Sequence, residues 1–172
     1  MFVLGVDPGL SRCGYCVVHV ERARTRAAAL GVIRTDPASP VAERLAELVL
    51  DMRSVLDEFP VAEVAVERVL FQVNVRTAMS VGQASGVVMA EAAARGLPVT
   101  EYSPNEVKDA VAGFGGADKA QVQRMVQLLL DLDSLPDPPD AADAAAVALT
   151  HVARIASTRS LASAATTHGG QQ

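Results

Sequence analysis

Four acidic residues in three separated segments are the side chains of this sequence that could carry out chemistry. Asp7 and Glu67 each follow a short apolar run, and Asp140 and Asp143 stand three residues apart in PDAADAAAVAL. Carboxylates that converge on one point repel one another and resist ionisation unless a cation neutralises them. Mg²⁺ prefers such oxygen ligands, and a pair of Mg²⁺ ions can activate water and stabilise the leaving oxygen of a phosphodiester. If the fold gathers them, these acids indicate metal-dependent hydrolysis of a phosphate ester.

The same acids also have a purely structural interpretation. Asp7 precedes Pro8-Gly9, and an aspartate before this pair makes a good turn. Asp140 and Asp143 stand at the start of a predicted helix, where acids cap free N–H groups and interact favourably with the helix dipole. The two interpretations differ in whether the segments meet in space, which depends on the elements that carry them.

Short apolar runs predict these elements. We predict three antiparallel strands from the valine-rich runs VLGV, GYCVVHV and AALGVIRT, which are separated by turn signals. A fourth and a fifth strand are predicted at VAEVAVE and PVTEYS, and the segments between and after them keep a helical period. This order predicts an α/β fold with a mixed five-stranded sheet flanked by helices. Asp7 and Glu67 then lie at the carboxyl ends of strands, where sites form in open α/β sheets.

The length of 172 residues suits one domain with a sizeable core. We predict that residues 1–156 form this domain and that residues 157–172, which are mostly small and polar, form a flexible low-complexity tail. The first helix is predicted to begin with Ser39 as its cap and Pro40 at its first position. No stretch of 18 uncharged apolar residues exists and the N-terminus lacks a basic leader, so we expect a cytoplasmic protein that does not enter a membrane.

The charge and the cysteines narrow the function classes. The net charge is −5 at pH 7, and this sign counts against a DNA-binding protein unless the acids are clustered for a purpose. Cys13 and Cys16 form a C-x-x-C pair, but they fall in a predicted strand, where residues three apart face opposite sides. We therefore predict two ordinary thiols rather than a redox pair or a zinc site.

Five stretches of the chain resemble, in order and in spacing, the RuvC family of bacterial Holliday junction resolvases. They are VLGVDPGLSRCGY, VAVERVLF, VGQASGV, GGADKAQV and PDAADAAAVALTH, and the resemblance extends from about residue 2 to residue 155. It implies an RNase H-like fold and an endonuclease that resolves four-way DNA junctions during recombination and repair, by paired nicks in strands of like polarity. It also implies a homodimer that cooperates with RuvA and RuvB.

The resemblance also implies roles for individual residues. Two Mg²⁺ ions per site, with Mn²⁺ as an alternative, would be bound by the acids Asp7, Glu67, Asp140 and Asp143. Lys108 and Lys119, the only lysines in the chain, match positions that face the DNA near the scissile phosphate. A lysine there contacts phosphate or stabilises developing charge, which places Lys119 among the catalytic residues. The alternative for a single lysine is a solvated surface position.

One position departs from the family pattern. The family usually places an aromatic residue three positions after the strand-end glutamate, to reach into the centre of the junction. This chain has Leu70 there and Phe71 next, so either Phe71 stacks on the junction or Leu70 acts as an apolar wedge. The alternative is that both side chains pack inside the protein. Arg76 is expected to join the two lysines on the DNA-binding face.

The helix around VGQASGVVMAEAA is the predicted dimer contact. Gly82 and Gly86 stand four residues apart and permit close approach of another element, and both faces of this helix are poor in charge. One face must pack on the sheet, so we expect the other to meet the same helix of a second chain about a two-fold axis. The alternative is that the glycines serve only packing on the sheet of their own chain.

Two other functions are compatible with part of the pattern. An ATP-binding domain of the actin type uses a related strand-turn acid, but it needs a second phosphate loop and a second lobe, for which 172 residues leave no room. A junction-binding protein without activity would not need all four acids. Cleavage of a four-way junction separates a nuclease from both.

Overall fold

The computed structural model describes residues 1–22, 24–69 and 75–168. The strands are β1 (Phe2–Asp7), β2 (Arg12–Glu21), β3 (Arg24–Arg34), β4 (Val61–Glu67) and β5 (Val99–Tyr102). The helices are α1 (Val41–Glu58), α2 (Val75–Ala94), α3 (Pro104–Ala112), α4 (Lys119–Leu129) and α5 (Pro139–His168). The sheet order is β3-β2-β1-β4-β5, with antiparallel pairing on the β2 side of β1 and parallel pairing on the β4 side. The predicted mixed five-stranded sheet is confirmed.

Two hydrophobic clusters lie on opposite faces of this sheet. Along β1 the side chain of Val3 enters one cluster and those of Leu4 and Val6 enter the other. The first cluster packs under α3, α4 and α5, and the second packs under α1 and α2. Because helices cover both faces, β1 and β4 are mostly apolar, apart from Glu63 of β4, and each strand ends in an acid at the edge of the sheet.

The two cysteines behave as the strand period requires. Cys13 and Cys16 are both buried in β2, Cys13 in the cluster under α1 and α2 and Cys16 in the cluster under α5. They therefore face opposite sides of the sheet, which confirms the prediction of two ordinary thiols. Burial raises the pKa of both thiols to about 12, so neither forms a reactive thiolate at neutral pH.

Small residues let α5 lie directly on β1 and β2. A Cβ atom added to Gly14 would overlap the backbone carbonyl of Asp140, and one added to Gly5 would overlap the backbone of Ala144 and Ala148. The face of α5 toward the sheet is correspondingly rich in buried alanine. This close approach fixes the first turn of α5 beside the end of β1.

A buried polar chain anchors α5 further along its length. His151 of α5 is 3 % exposed, and its Nδ1 lies 2.8 Å from the hydroxyl of Tyr102 at the end of β5. Its Nε2 lies 2.8 Å from Oε2 of Glu63 on β4. Polar contacts of this kind to two strands, added to the alanine packing, fix the helix along its axis as well as against the sheet.

The ends of two helices differ from the expectations. Pro40 is the N-cap residue of α1 and not its first helical residue, and no side chain caps this end. Helix α5 continues to His168, through most of the segment assigned to a tail, because residues 157–168 contain neither proline nor glycine and several alanines favour the helix. The flexibility of residues 157–172 and the domain boundary at residue 156 stay predictions. Within the described ranges, no helix has the length and apolar character needed to cross a membrane.

Candidate active site

Asp7 and Glu67 meet at the carboxyl edge of the sheet. Strands β1 and β4 are parallel neighbours with Val6 paired to Val66, so the acids that follow these residues emerge side by side. A hydrogen bond between the two carboxyl groups contributes to the rise of the Asp7 pKa and opposes that of the Glu67 pKa, so the two groups influence each other directly. Neighbouring carboxyl groups repel each other when both are ionised, and this repulsion favours a proton on one of them.

The ionisation of this pair shows how much negative charge the site holds. Burial raises the pKa of Asp7 to about 8, and the charges of Glu67, Asp143 and Asp140 contribute to this rise in that order of importance. Burial is also the largest cause of the raised pKa of Glu67, which the hydrogen bond from Asp7 partly offsets. At neutral pH and without a bound cation, Asp7 therefore keeps its proton. A group in this state favours a cation that could replace the proton.

The two acids of α5 reach the same edge, each with a cation as its partner. Oδ2 of Asp140 accepts a hydrogen bond of 2.6 Å from Nη2 of Arg12, the first residue of β2. Oδ2 of Asp143 accepts one of 2.6 Å from Nζ of Lys119, the first residue of α4. Both acids still raise the pKa of Asp7, so the four carboxyl groups form one electrostatic unit.

The donor set has the right chemistry for a hard divalent cation, although its side chains are held by other partners. All four groups offer carboxylate oxygens, the ligands that Mg²⁺ prefers. In the described part of the chain, however, no group of three or more His, Cys, Asp or Glu side chains is arranged to hold an ion. Arg12 and Lys119 occupy one oxygen each of Asp140 and Asp143, and the raised pKa of Asp7 keeps a proton on that acid at neutral pH. A cation would have to replace these partners.

Both lysines lie beside the acids. Lys108 on α3 and Lys119 line a cleft of about 260 Å³ together with Glu67 and Asp143. The capping box that Asp118 forms with Gln121 fixes where α4 begins, and therefore where Lys119 starts. The hydrogen bond to Asp143 is the largest cause of the raised pKa of Lys119, followed among the favourable causes by the charges of the acids. The Lys119 side chain is still 60 % exposed, so it can reach a ligand in the cleft.

Comparison with known proteins identifies the family. The model of the family described as crossover junction endodeoxyribonuclease RuvC matches residues 3–151. This chain belongs to the RuvC family. It is 46 % identical over 138 residues to the RuvC of Heliobacterium modesticaldum, covering 80 % of this chain and 85 % of that protein. It is 47 % identical over 138 residues to the RuvC of Moorella thermoacetica, covering 80 % and 83 %.

Solved structures agree with the RuvC assignment. The Thermus thermophilus RuvC structure matches with a TM-score of 0.86 and 38 % identity, covering 92 % of this chain and 97 % of the other. The T. thermophilus RuvC solved in complex with a Holliday junction substrate matches with a TM-score of 0.85 and 39 % identity, covering 90 % and 94 %. The yeast mitochondrial resolvase Ydc2, at 17 % identity and a TM-score of 0.59 over 86 % of this chain and 77 % of its own, shares the fold alone. The fold is RNase H-like, as the resemblance implied.

Several residues of the expected DNA surface cannot be placed. Leu70 and Phe71 lie outside the described residues. Arg76 lies near the start of α2, and its side chain is outside what the structure describes. The choice between a stacking Phe71 and a wedging Leu70 therefore stays a prediction.

Gly82 and Gly86 lie on the open face of α2. A Cβ atom added to either would meet no atom within 4 Å, whereas Ala84 and Val88 on the other face are buried in the core. Met79, one turn before Gly82, is 62 % exposed. The interpretation that these glycines serve packing on their own sheet is therefore wrong, because that face of α2 does not touch the sheet.

Arg12 is the site residue that the sequence analysis missed, although it stands inside the motif DPGLSRCGY. It lies two residues before Gly14 in β2, and residues two apart share one face of a strand. Gly14 is the position where α5 touches β2, so Arg12 points toward the first turn of α5. The period of two was available in the sequence, but which helix covers that face was not.

Proposed function

We propose that this chain resolves Holliday junctions by metal-dependent hydrolysis, with paired nicks in strands of like polarity, during recombination and repair. The observation that carries the proposal is the set of four carboxyl groups at one edge of the sheet, where Asp7 has a pKa of about 8. A turn or a helix cap would not need an acid with so unfavourable an environment. A nuclease site would, because its cations supply the compensating charge.

Asp7, Glu67, Asp140 and Asp143 would hold the cation, as two Mg²⁺ ions or with Mn²⁺ in their place. When bound, the cation supplies an activated water and neutralises the charge that develops on the leaving oxygen. The protein contributes the fixed position of these acids: the parallel register of β1 and β4 aligns the first two, and the glycine contacts of α5 align the others.

Lys108 and Lys119 would contact the phosphate strand. They line the same cleft as Glu67 and Asp143, and a positive charge there stabilises a pentacovalent phosphate more than the ground state. Lys119 bonds Asp143 while the site holds no metal, and a cation that takes over this carboxylate would release Lys119 toward the phosphate. We place Leu70, Phe71 and Arg76 on the same DNA-binding face, because the segment that contains them begins just after the strand end at Glu67.

A four-way junction is the proposed substrate, and a homodimer the proposed form. A T. thermophilus relative at 39 % identity has been solved in complex with a Holliday junction substrate, which supports the substrate class. The exposed glycine face of α2 supports a two-fold dimer, since Gly82 and Gly86 leave room for a second helix. RuvA and RuvB as partners and a cytoplasmic location follow from the family resemblance.

The test is cleavage of a labelled four-way junction beside a linear duplex of the same sequence. We expect cleavage of the junction with Mg²⁺ and none with a chelator, and little cleavage of the duplex. Glu67→Gln should be inactive while it still binds the junction in a gel shift. Glu47→Gln, an exposed acid of α1 on the opposite face of the sheet, is the matched control and should cut normally. Cleavage in the chelator, or by Glu67→Gln at the wild-type rate, would refute the proposal.

A further inference from the structure

Arg12 occupies a position in β2 that has a cost for the sheet. In the β2–β3 ladder it stands directly opposite Arg34, and like charges opposite each other destabilise an antiparallel pair. The cost is offset on the other side, where the Arg12 guanidinium donates to Oδ2 of Asp140 at 2.6 Å. The presence of Arg12 is therefore explained by the acidic site and not by the strand that carries it.

The two acids of α5 have equivalent partners, since Asp140 pairs with Arg12 and Asp143 pairs with Lys119. Each acid receives one cation from a neighbouring element, at 2.6 Å in both cases. The pairs are open to water, with the Arg12 side chain 44 % exposed and that of Asp140 27 % exposed. An exposed pair is weak and screened by salt, so a stronger cation can displace the guanidinium without trapping it in the core.

We propose that Arg12 competes with the divalent cation for Asp140 and so sets how tightly the DNA-free enzyme takes up metal. The inference rests on the proposed function, in which Asp140 is a cation ligand. Arg12 neutralises the carboxylate while the site holds no metal, and its guanidinium gives up Oδ2 when a cation binds.

The experiment is calorimetric titration of the full-length protein with MnCl₂ at low salt, without DNA. Arg12→Ala and Arg12→Gln should bind Mn²⁺ about two- to fivefold more tightly than the wild type, the size expected for an exposed ion pair. The gain should shrink when NaCl is added. Arg34→Ala is the matched control, because it removes the same charge from the opposing position of the ladder and leaves the Asp140 contact intact. Its affinity should be unchanged.

A double-mutant cycle isolates the pair. In an Asp140→Asn background, Arg12→Ala should no longer improve Mn²⁺ binding, since the carboxylate for which it competes is gone. A thermal melt of each variant checks that it folds. If Arg12→Ala weakens Mn²⁺ binding, Arg12 orients Asp140 as a ligand and the inference is overturned. An unchanged affinity overturns it as well.

Failure of this inference and failure of the proposed function give different results. If the wild type binds Mn²⁺ and cuts junctions while Arg12→Ala matches it in affinity, only the competition by Arg12 is refuted. If the wild type takes up no Mn²⁺ at all, Asp140 is not a cation ligand, and the metal-dependent function fails together with the inference.

Discussion

Two groups of acidic side chains in this molecule differ in how fully nearby basic side chains balance their negative charge. The α1–α2 cluster consists of Arg53, Asp57, Glu91 and Arg95. Arg53 donates through Nε and Nη2 to both oxygens of Glu91 at 2.9 Å, and Arg95 bridges Glu91 at 3.0 Å and Asp57 at 2.9 Å. Hydrogen bonds from Arg53 lead the causes that lower the pKa of Glu91. Every acid of this cluster is already neutralised.

The carboxyl edge of the sheet also combines acidic and basic side chains, but there the pKa of an acid is raised and not lowered. There the pKa of Asp7 rises to about 8, because burial and three neighbouring acids outweigh the nearby cations. Two arginines for two acids make the α1–α2 cluster a structural clamp between helices. An excess of acid over base leaves the carboxyl edge short of positive charge, which a bound cation can supply. The balance of charge, not the presence of acids, marks the functional region.

The largest expected effect is the loss of cleavage when one acid of the carboxyl edge is replaced by its neutral amide. Asp7→Asn keeps the shape and the turn chemistry but removes a cation ligand. We expect junction cleavage to fall about 1000-fold or more while junction binding in a gel shift persists, because groups that act as a unit fail together. Glu67→Gln, Asp140→Asn and Asp143→Asn should behave alike. Asp57→Asn in the α1–α2 cluster is the control and should cut normally. Near wild-type cleavage by Asp7→Asn would return this acid to a turn role.

A smaller loss is expected for Lys119, because its side chain brings a positive charge to the carboxyl edge but does not bind the metal ion. Lys119→Ala should lower cleavage about 10- to 100-fold, the worth of one hydrogen bond to a charged group. Junction binding should weaken little, and its dependence on salt should fall by about one unit of slope. Cleavage rates and gel shifts over a salt series measure both. A loss of binding as large as the loss of rate would show that Lys119 only positions the DNA.

The sequence predicts the two halves of the edge unequally. Asp7 and Glu67 follow from local patterns, because an apolar strand that ends in an acid puts that acid at the sheet edge in any parallel arrangement. Asp140 and Asp143 were assigned to the site by resemblance, since their own pattern fits a helix cap equally well. The sequence does not predict Arg12 as a site residue, because its role depends on α5 lying across Gly14, a contact between residues far apart in the chain. Helix α5 extends to His168, beyond its predicted end, because alanine favours the helix in a segment whose small polar residues predict a tail.

Replacement of an acid in the α1–α2 cluster should lower the stability of the protein and leave junction cleavage unchanged. Glu91→Gln leaves Arg53 and Arg95 without their shared carboxylate, so the melting temperature should fall by several degrees at neutral pH. The pKa of Glu91 is lowered in the folded protein, so its contribution is present above pH 4.5 and is lost as the pH falls through the folded value. The difference from the wild type should therefore shrink in acid. Thermal melts from about pH 3 to about pH 7 span this window, and a difference that stays constant would contradict the charge-based explanation.

The smallest expected effect is a gain in stability at the edge itself. The pKa of Asp7 is raised from 3.8 to about 8 in the folded protein, so between these values the folded state holds a proton that the unfolded state has lost. Stability then falls as the pH rises through this window. The asparagine of an Asp7→Asn variant does not titrate, so in a chelator the stability of this variant relative to the wild type should rise progressively from about pH 6 to about pH 8. Urea unfolding across that pH range measures the gain, with Asp57→Asn as the control that should show none. Added Mg²⁺ should stabilise the wild type more than Asp7→Asn, because only the wild type can release the Asp7 proton and offer this carboxylate to the cation. A gain in stability that does not change with pH would contradict the explanation that the raised pKa of Asp7 destabilises the folded protein.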